Sequence, residues 1–327
     1  MSENDCYETY QCVPADFDLL NAPPGDLDLF GIPHRDLFAD PRLFEFWKTL
    51  ISPPFFPQQA RFNFHSFDFG IRPPSTLESS MNWSGGVISP PHPKRFILAV
   101  ASWVVPAVSR PSAPALFTFE DAPKTLIWVG LDGHNGRLPK ISLPQIGTFH
   151  RPDGPPDRQH YAWWYWWHHT HDPIAEILDF EVRPLDEIMA GLTVLVSKDV
   201  LLFIKNQRTG QFRSFLAKQQ KIGDIEPLGS SAEWVVERPT EPTSPTGQLY
   251  PLAAYQSVNF KYCMALAADT DRPLAPGRLM TFADNGHMIK MREAFAAPYR
   301  TAYVSRADRR HDKDGSIGLT CTFHQPT

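Results

Sequence analysis

Three stretches of the 327-residue chain carry side chains able to do chemistry. The first is HHTHD, in which His168, His169, His171 and Asp172 supply imidazole and carboxylate, common ligands of zinc and copper. Neighbours on an extended strand point to opposite sides, so this spacing closes poorly on one ion. A solvated turn running up to Pro173 accounts for it better, and no metal is expected. The second stretch is AEWVVE, Ala232 to Glu237. Alternation sets Glu233, Val235 and Glu237 on one face and Ala232, Trp234 and Val236 on the other. The tryptophan side can then pack a core while Glu237 faces a cleft, where a carboxyl can serve as general base or acid. A glutamate taken alone would by default read as a charge on a solvent-facing strand. The third is YAWWYWWHH, with Trp163, Tyr165 and Trp167 on one face and Ala162, Trp164 and Trp166 on the other. One aromatic face reads as core, and the other is free to line a substrate cleft. Ser84 in NWSGG is not a nucleophile elbow, and Asp132, Gly133, Asn135 and Gly136 lack the spaced acidic ligands of a calcium loop and read as a turn.

These groups must be held by strands. From Asn82 onward apolar runs with period two, or continuous, alternate with Gly, Pro, Asn or Asp: FILAVASWVV, TLIWVGL, ILDFEV, LTVLVSKDVLLFIK, SVNFKY and IGLTCTF among them. About a dozen strands with little helix between them predict an all-β fold, a sandwich or barrel. KNQRTGQF reads as a hairpin turning at Arg208 to Gly210. Residues 1–80 differ in composition and read as an N-terminal extension to a β domain over 81–327. Within the extension a short helix is predicted from Asp40 as N-cap, Pro41 at the first helical position, and Leu43, Phe44, Trp47, Leu50 and Ile51 on one face.

Composition narrows the partners. The chain has 33 prolines and 23 phenylalanines against 19 glycines, which fits short strands in Pro-punctuated loops rather than disorder. A formal charge of −5 with no Lys/Arg run excludes a phosphate-binding surface, so nucleic acid is not an expected partner. No apolar stretch is long enough to span a bilayer, and the opening MSENDCYETYQCVPADFD is acidic and polar where an export leader would be basic and then apolar. The expected location is the cytoplasm, or one reached by unconventional export. Cys6, Cys12, Cys263 and Cys321 are too scattered for a disulfide framework and read as buried or incidental thiols.

The order of several short segments then carries a resemblance. NWSGGV (82–87), VASWVVP (100–106), WVGLDG (128–133), LPQIG (143–147), YAWWYW (161–166), NQRTGQ (206–211), AEWVVE (232–237) and SVNF (257–260) occur in sequence. Each alone is weak, but together they cover most of residues 82–260, and in this order they resemble the glutamic peptidase (eqolisin) family. The resemblance implies a sandwich of two packed, curved antiparallel sheets, jelly-roll-like. It implies that Gln145 and Glu237 match the family's two catalytic residues, with Trp128 and Asp132 at the supporting positions beside them. The sequence departs from the secreted fungal members at Tyr161 and Tyr165, where those carry acidic residues; losing acidic neighbours changes subsite preference and the pH response of a nearby carboxyl.

The resulting expectation is an endopeptidase acting on a polypeptide bound in extended form. Glu237 would be general base and then acid, and Gln145 the oxyanion donor. Tyr161, Trp163, Tyr165 and Glu233 would lie around the substrate, and no cofactor is needed. A monomer is expected, with residues 1–80 covering the cleft as a prosegment does. The alternatives are a non-catalytic binder of carbohydrate or peptide on the same sandwich, and, less well supported, a metal-dependent hydrolase built on the histidines.

Overall fold

The structure is a computed structural model that describes residues 7–14, 17–63, 79–112, 123–134, 142–168, 175–219, 226–240, 248–269, 277–293, 303–312 and 317–324. The extension contributes β1 (Tyr7–Thr9), α1 (Pro24–Leu29), a 3-10 turn (Arg35–Phe38), α2 (Pro41–Ile51), β2 (Phe56–Pro57) and β3 (Phe62–Asn63). There follow β4 (Ser79–Ser80), β5 (Trp83–Ile88), β6 (Arg95–Val104), β7 (Thr125–Leu131), β8 (Ser142–His150), β9 (His160–His168) and β10 (Glu176–Leu178). The chain continues through β11 (Glu187–Val194), β12 (Val200–Asn206), β13 (Gln211–Ala217), β14 (Ala232–Glu237), β15 (Ser257–Ala268) and β16 (Arg278–Thr281). A one-turn helix α3 (Phe282–Asn285), β17 (His287–Arg292), β18 (Tyr303–His311) and β19 (Ile317–Phe323) complete it.

The strands form two layers. One sheet runs β1, β13, β12, β11, β6, β15, β19, β18, and the other runs β3, β10, β9, β8, β7, β14, β5. The strand β17 pairs with β18 on one side and β5 on the other, and so joins the layers. Pairing along both runs is antiparallel, and the expected all-β sandwich is what the chain builds. The layers meet through alternate residues: Ala99, Ala101 and Trp103 of β6 and Ile188, Ala190 and Leu192 of β11 face Ile127 and Val129 of β7, Trp164 and Trp166 of β9, and Trp234 and Val236 of β14. Period-two alternation requires this, because each strand has one face toward its partner sheet and one away.

Both outer faces are covered as well. On the β6/β11/β12/β15 sheet, Leu98, Val100, Met189, Phe203, Met264 and Leu266 pack against Leu43, Phe46, Trp47, Leu50 and Ile51 of α2. The helix begins as expected: the Asp40 side chain accepts from the Arg42 backbone N–H at 2.9 Å, with Pro41 in the first turn. The buried face differs by one residue, since Phe46 is inside while Phe44 sits at the rim between Arg35 and Lys48. At 100° per residue Phe44 falls beside Ile51, just past the edge of the arc set by Leu43, Phe46, Trp47 and Leu50. Lys205 of β12 fixes the far end of the helix, its ammonium donating to the carbonyls of Thr49 and Ser52 at 3.3 and 2.7 Å.

The extension is woven into the sandwich: β1 and β2 pair with β13, and β3 pairs with β10. The hairpin at 206–211 forms as expected, with Gly210 at φ 71°. Cys263 and Cys321 are buried free thiols and Cys12 is exposed, while Cys6 lies outside the described residues.

Candidate active site

The outer face of the second sheet holds the residues singled out from the sequence. Six of its strands lie side by side in the order β9, β8, β7, β14, β5, β17, and their register sorts the outward side chains into rows. One row is Tyr165, Gln145, Gly130, Glu233, Val87, His287. The next is Trp163, Gly147, Trp128, Val235, Gly85, Ile289. The third is Tyr161, Phe149, Leu126, Glu237, Trp83. Residues directly opposite each other in antiparallel strands share a face, so Gln145, Trp128, Glu233 and Glu237 all point away from the inter-sheet core. Leu126, Trp128, Trp83, Val235, Trp163 and Tyr165 form an apolar cluster on this outer face.

Glu237 is fully buried and tied down. One carboxylate oxygen accepts from the Trp128 indole N–H at 2.9 Å, and the other from the Asn82 carboxamide at 3.2 Å. Asn82 is in turn held by Ser80, whose hydroxyl donates to the Asn82 side-chain Oδ1 at 2.8 Å and accepts from the Asn82 and Trp83 backbone N–H groups. The Trp83 ring meets Trp128 edge-to-face at 4.9 Å, which fixes the indole that donates. Burial pushes the Glu237 carboxyl up to about 8, against the opposing donors Trp128, Trp83 and Asn82. Two outward glycines make room for the Trp128 ring: a Cβ at Gly147 would stand 2.6 Å from Trp128 Cβ, and one at Gly130 would stand 3.0 Å from Trp128 Cζ3.

Gln145 is also fully buried, and neither its oxygen nor its nitrogen has a hydrogen-bond partner among the described residues. A buried carboxamide left so costs about 1–3 kcal/mol per group, a penalty that buried polar groups usually avoid. It stands on the opposite side of β7 from Glu237 and four residues out of step, facing Gly130 where Glu237 faces Leu126. Trp128 lies between the two. No hydrogen bond joins Gln145 to Glu237.

Glu233 shares the row of Gln145. It is fully buried; Oε1 accepts from the His134 backbone N–H at 3.2 Å, while Oε2 has no partner among the described residues. Burial also lifts its carboxyl to about 8. Asp132, at φ 72° just past β7, is engaged elsewhere: its oxygens accept from the backbone N–H groups of Leu228 and Ser230 and from the Ser230 hydroxyl. It therefore anchors the 228–230 loop, and burial raises its carboxyl. Tyr161, half-buried, stacks on Phe149 at 5.9 Å with the Arg151 guanidinium above its ring, whereas Trp163 and Tyr165 are buried. Trp164 and Trp166 fill the inter-sheet core, so the two faces of β9 divide as its alternation predicts.

The histidine cluster falls largely on residues 169–174, outside the described residues. Among the described residues no group of three or more His, Cys, Asp or Glu could hold a metal ion. Reading the sequence did not assign a role to Asn82, Trp83 or Gly130. Asn82 and Trp83 stand in the quoted NWSGGV segment, but their approach to Glu237 depends on pairing β5 with β14, across 155 residues for the Asn82 contact.

Comparisons with known proteins bear on the fold and the family. Residues 81–295 match the Peptidase A4 family, extending past residue 260, where the sequence motifs stop. Among solved structures, a scytalido-glutamic peptidase bound to a transition state analog inhibitor superposes with a TM-score of 0.53 at 18% identity, over 76% of this chain and 100% of that one. SCP-B, a member of the eqolisin family bound to the tripeptide Ala-Ile-His, superposes with a TM-score of 0.50 at 17% identity, again over 76% of this chain and 100% of that one. At such identities the likeness shows the fold. No curated protein matches the chain.

Proposed function

The chain belongs to the Peptidase A4 family, a family of peptidases, and from that premise we propose that it is an endopeptidase whose general base is Glu237 and whose oxyanion donor is Gln145. The observation that carries the reading is a fully buried carboxyl held by two donors, Trp128 and Asn82, on the same sheet face as a buried carboxamide that has no partner among the described residues.

The chemistry follows from the groups. The Glu237 carboxylate takes a proton from water as the water oxygen bonds to the scissile carbonyl carbon, and the carbonyl electron pair moves onto oxygen. The Gln145 N–H donates to that oxyanion. The tetrahedral carbon then expels the amine as Glu237 returns the proton to nitrogen and the C–N bond breaks. Trp128 and Asn82 aim the Glu237 carboxyl and stabilise its ionised form. Water and the scissile peptide occupy the span over Trp128 that separates the two residues. Tyr161, at the rim of the aromatic surface, contacts the extended substrate, and the buried Trp163 and Tyr165 support it.

The test is cleavage of a denatured protein from pH 3 to pH 9 by the wild type, Glu237→Gln and Gln145→Ala, with pepstatin and a chelator as controls. Wild-type cleavage that survives both inhibitors and is lost in each folded variant is the expected result. Full activity in either variant would overturn the assignment.

A further inference from the structure

Three buried polar atoms on the outer sheet face, two of Gln145 and one of Glu233, have no partner among the described residues. Gln145 and Glu233 flank Gly130 in one row, Gln145 on β8 and Glu233 on β14. Strands lie about 4.8 Å apart, so the two backbones are about 10 Å from each other. Gly130 places no side chain of its own between them, and the edge of the Trp128 ring borders the space above it. Glu237, by contrast, is displaced from this row by four residues, about 13 Å along an extended strand. Any side chain at 130 would intrude here, since its Cβ would stand 3.2 Å from Gln145 Cβ.

The hydrogen-bonding pattern at Glu233 is asymmetric. Its Oε1 is an acceptor, taking the His134 backbone N–H at 3.2 Å. Its Oε2 has no partner among the described residues, and the same holds for both polar atoms of Gln145 across Gly130. A carboxylic acid held through one oxygen as acceptor carries its proton on the other and presents an O–H donor.

We propose that Glu233, in its acid form, is a second oxyanion donor: its Oε2–H and the Gln145 N–H together bind the carbonyl oxygen of the scissile peptide over Gly130. The proposal rests on the endopeptidase reading above and adds a group to it. A single carboxamide N–H is a modest oxyanion site, and a neutral acid beside it strengthens it without placing a negative charge against the oxyanion. The proton stays on Glu233 throughout, so no atom is transferred. Burial favours the acid form. The titratable groups around it are Asp132 and His134 at the end of β7, His287 and Tyr165 in its own row, and Glu237 further along β14. Asp132 reinforces the acid form, because a second negative charge beside it is unfavourable.

The experiment is steady-state cleavage of a fluorogenic peptide from pH 4 to pH 10 by the full chain carrying Glu233→Gln or Glu233→Ala, with Tm recorded for each. Glutamine keeps an N–H donor at the same place and cannot ionise; alanine removes the donor. The expected result is that Glu233→Ala lowers kcat by about 10²-fold or more with KM within about threefold, as when an oxyanion donor is lost. Glu233→Gln should retain kcat within about tenfold and lose the alkaline fall in rate expected of the wild type above pH 8. The proposal is overturned by an unchanged alkaline limb in Glu233→Gln, or by a Glu233→Ala kcat within about threefold of wild type. If Glu233→Ala does not fold, the pH profile of Glu233→Gln decides alone. Glu237→Gln and Gln145→Ala in the same assay separate the two readings. If both are inactive while the Glu233 variants behave like wild type, only this inference fails; if either is active, the base and donor assignment fails.

Discussion

The acid–base behaviour of the site turns on Glu237 and the donors around it. Burial holds its proton until about pH 8, and a general base must first lose that proton, so kcat/KM should climb with pH toward about 8. This is the pH response that the aromatic residues at positions 161 and 165 leave open. Trp128 donates to the ionised oxygen, so Trp128→Phe should move the acid limb to higher pH as well as lowering the plateau. A pH–rate profile of the two proteins checks it, and an unshifted limb would mean the indole does not tune the base. Some of this was legible in the sequence. Alternation within AEWVVE placed Glu237 opposite the core-packing Trp234. Gln145 was not legible from its own residue type, and only the ordered segments around it pointed there. Asp132 is engaged with the 228–230 loop, a long-range contact that no local pattern encodes.

The helix α2 and the strand β14 show what elements do for the site. The helix packs on the outer face of the β6/β11/β12/β15 sheet, the far side of the sandwich from Glu237. A prosegment-like cover is thus not a task for this helix, and residues 64–78, which lead from the extension to β4, lie outside the described residues. Trp47 is wholly buried, with its indole donating to the Pro33 carbonyl at 2.9 Å. Trp47→Ala should therefore cost about 3–5 kcal/mol of stability while leaving kcat at permissive temperature near wild type. Thermal unfolding and peptide cleavage measured together test it, and a large loss of kcat would place the extension in the catalytic machinery. Deleting residues 1–63 would strip β1, β2 and β3 from their partners and bare Leu98, Val100, Phe203 and Leu266, so that truncated chain should be insoluble, as expression and sedimentation would show.

Across the whole molecule, buried titrating groups of opposite kind shape stability. Glu233 and Glu237 have folded values near 8 against an ordinary 4.5. Their contribution is fully present below about pH 4.5 and is lost as pH rises through 8, on the order of a few kcal/mol per carboxyl. His134, lowered from 6.5 to about 4 by burial, and His150, lowered well below 6.5, act the other way: their contribution is present above pH 6.5 and is lost as pH falls. His150 is enclosed on the inner face of its sheet, paired with His160 at 2.8 Å and with Thr148, which accepts from Trp103. Tm should therefore peak between about pH 4.5 and 6.5, and the double variant Glu233→Gln, Glu237→Gln should flatten the alkaline side alone. A Tm that rises steadily to pH 9 in the wild type would contradict this reading of the buried carboxyls.

The sequence by itself determined the kind of fold and the face on which each strand residue lies. Both follow from a period of two and from the local signals that start helices and turn hairpins, which act within a few residues. Through the order of its motifs it also pointed to Gln145 and Glu237. Only the tertiary structure decided which rows those residues occupy. Register between strands far apart in the chain put Gly130 between Gln145 and Glu233, Trp128 between Gln145 and Glu237, and Asn82 against Glu237. It also decided that burial keeps protons on two carboxyls, because desolvation depends on everything packed around a group and on nothing that its own neighbours in the chain specify.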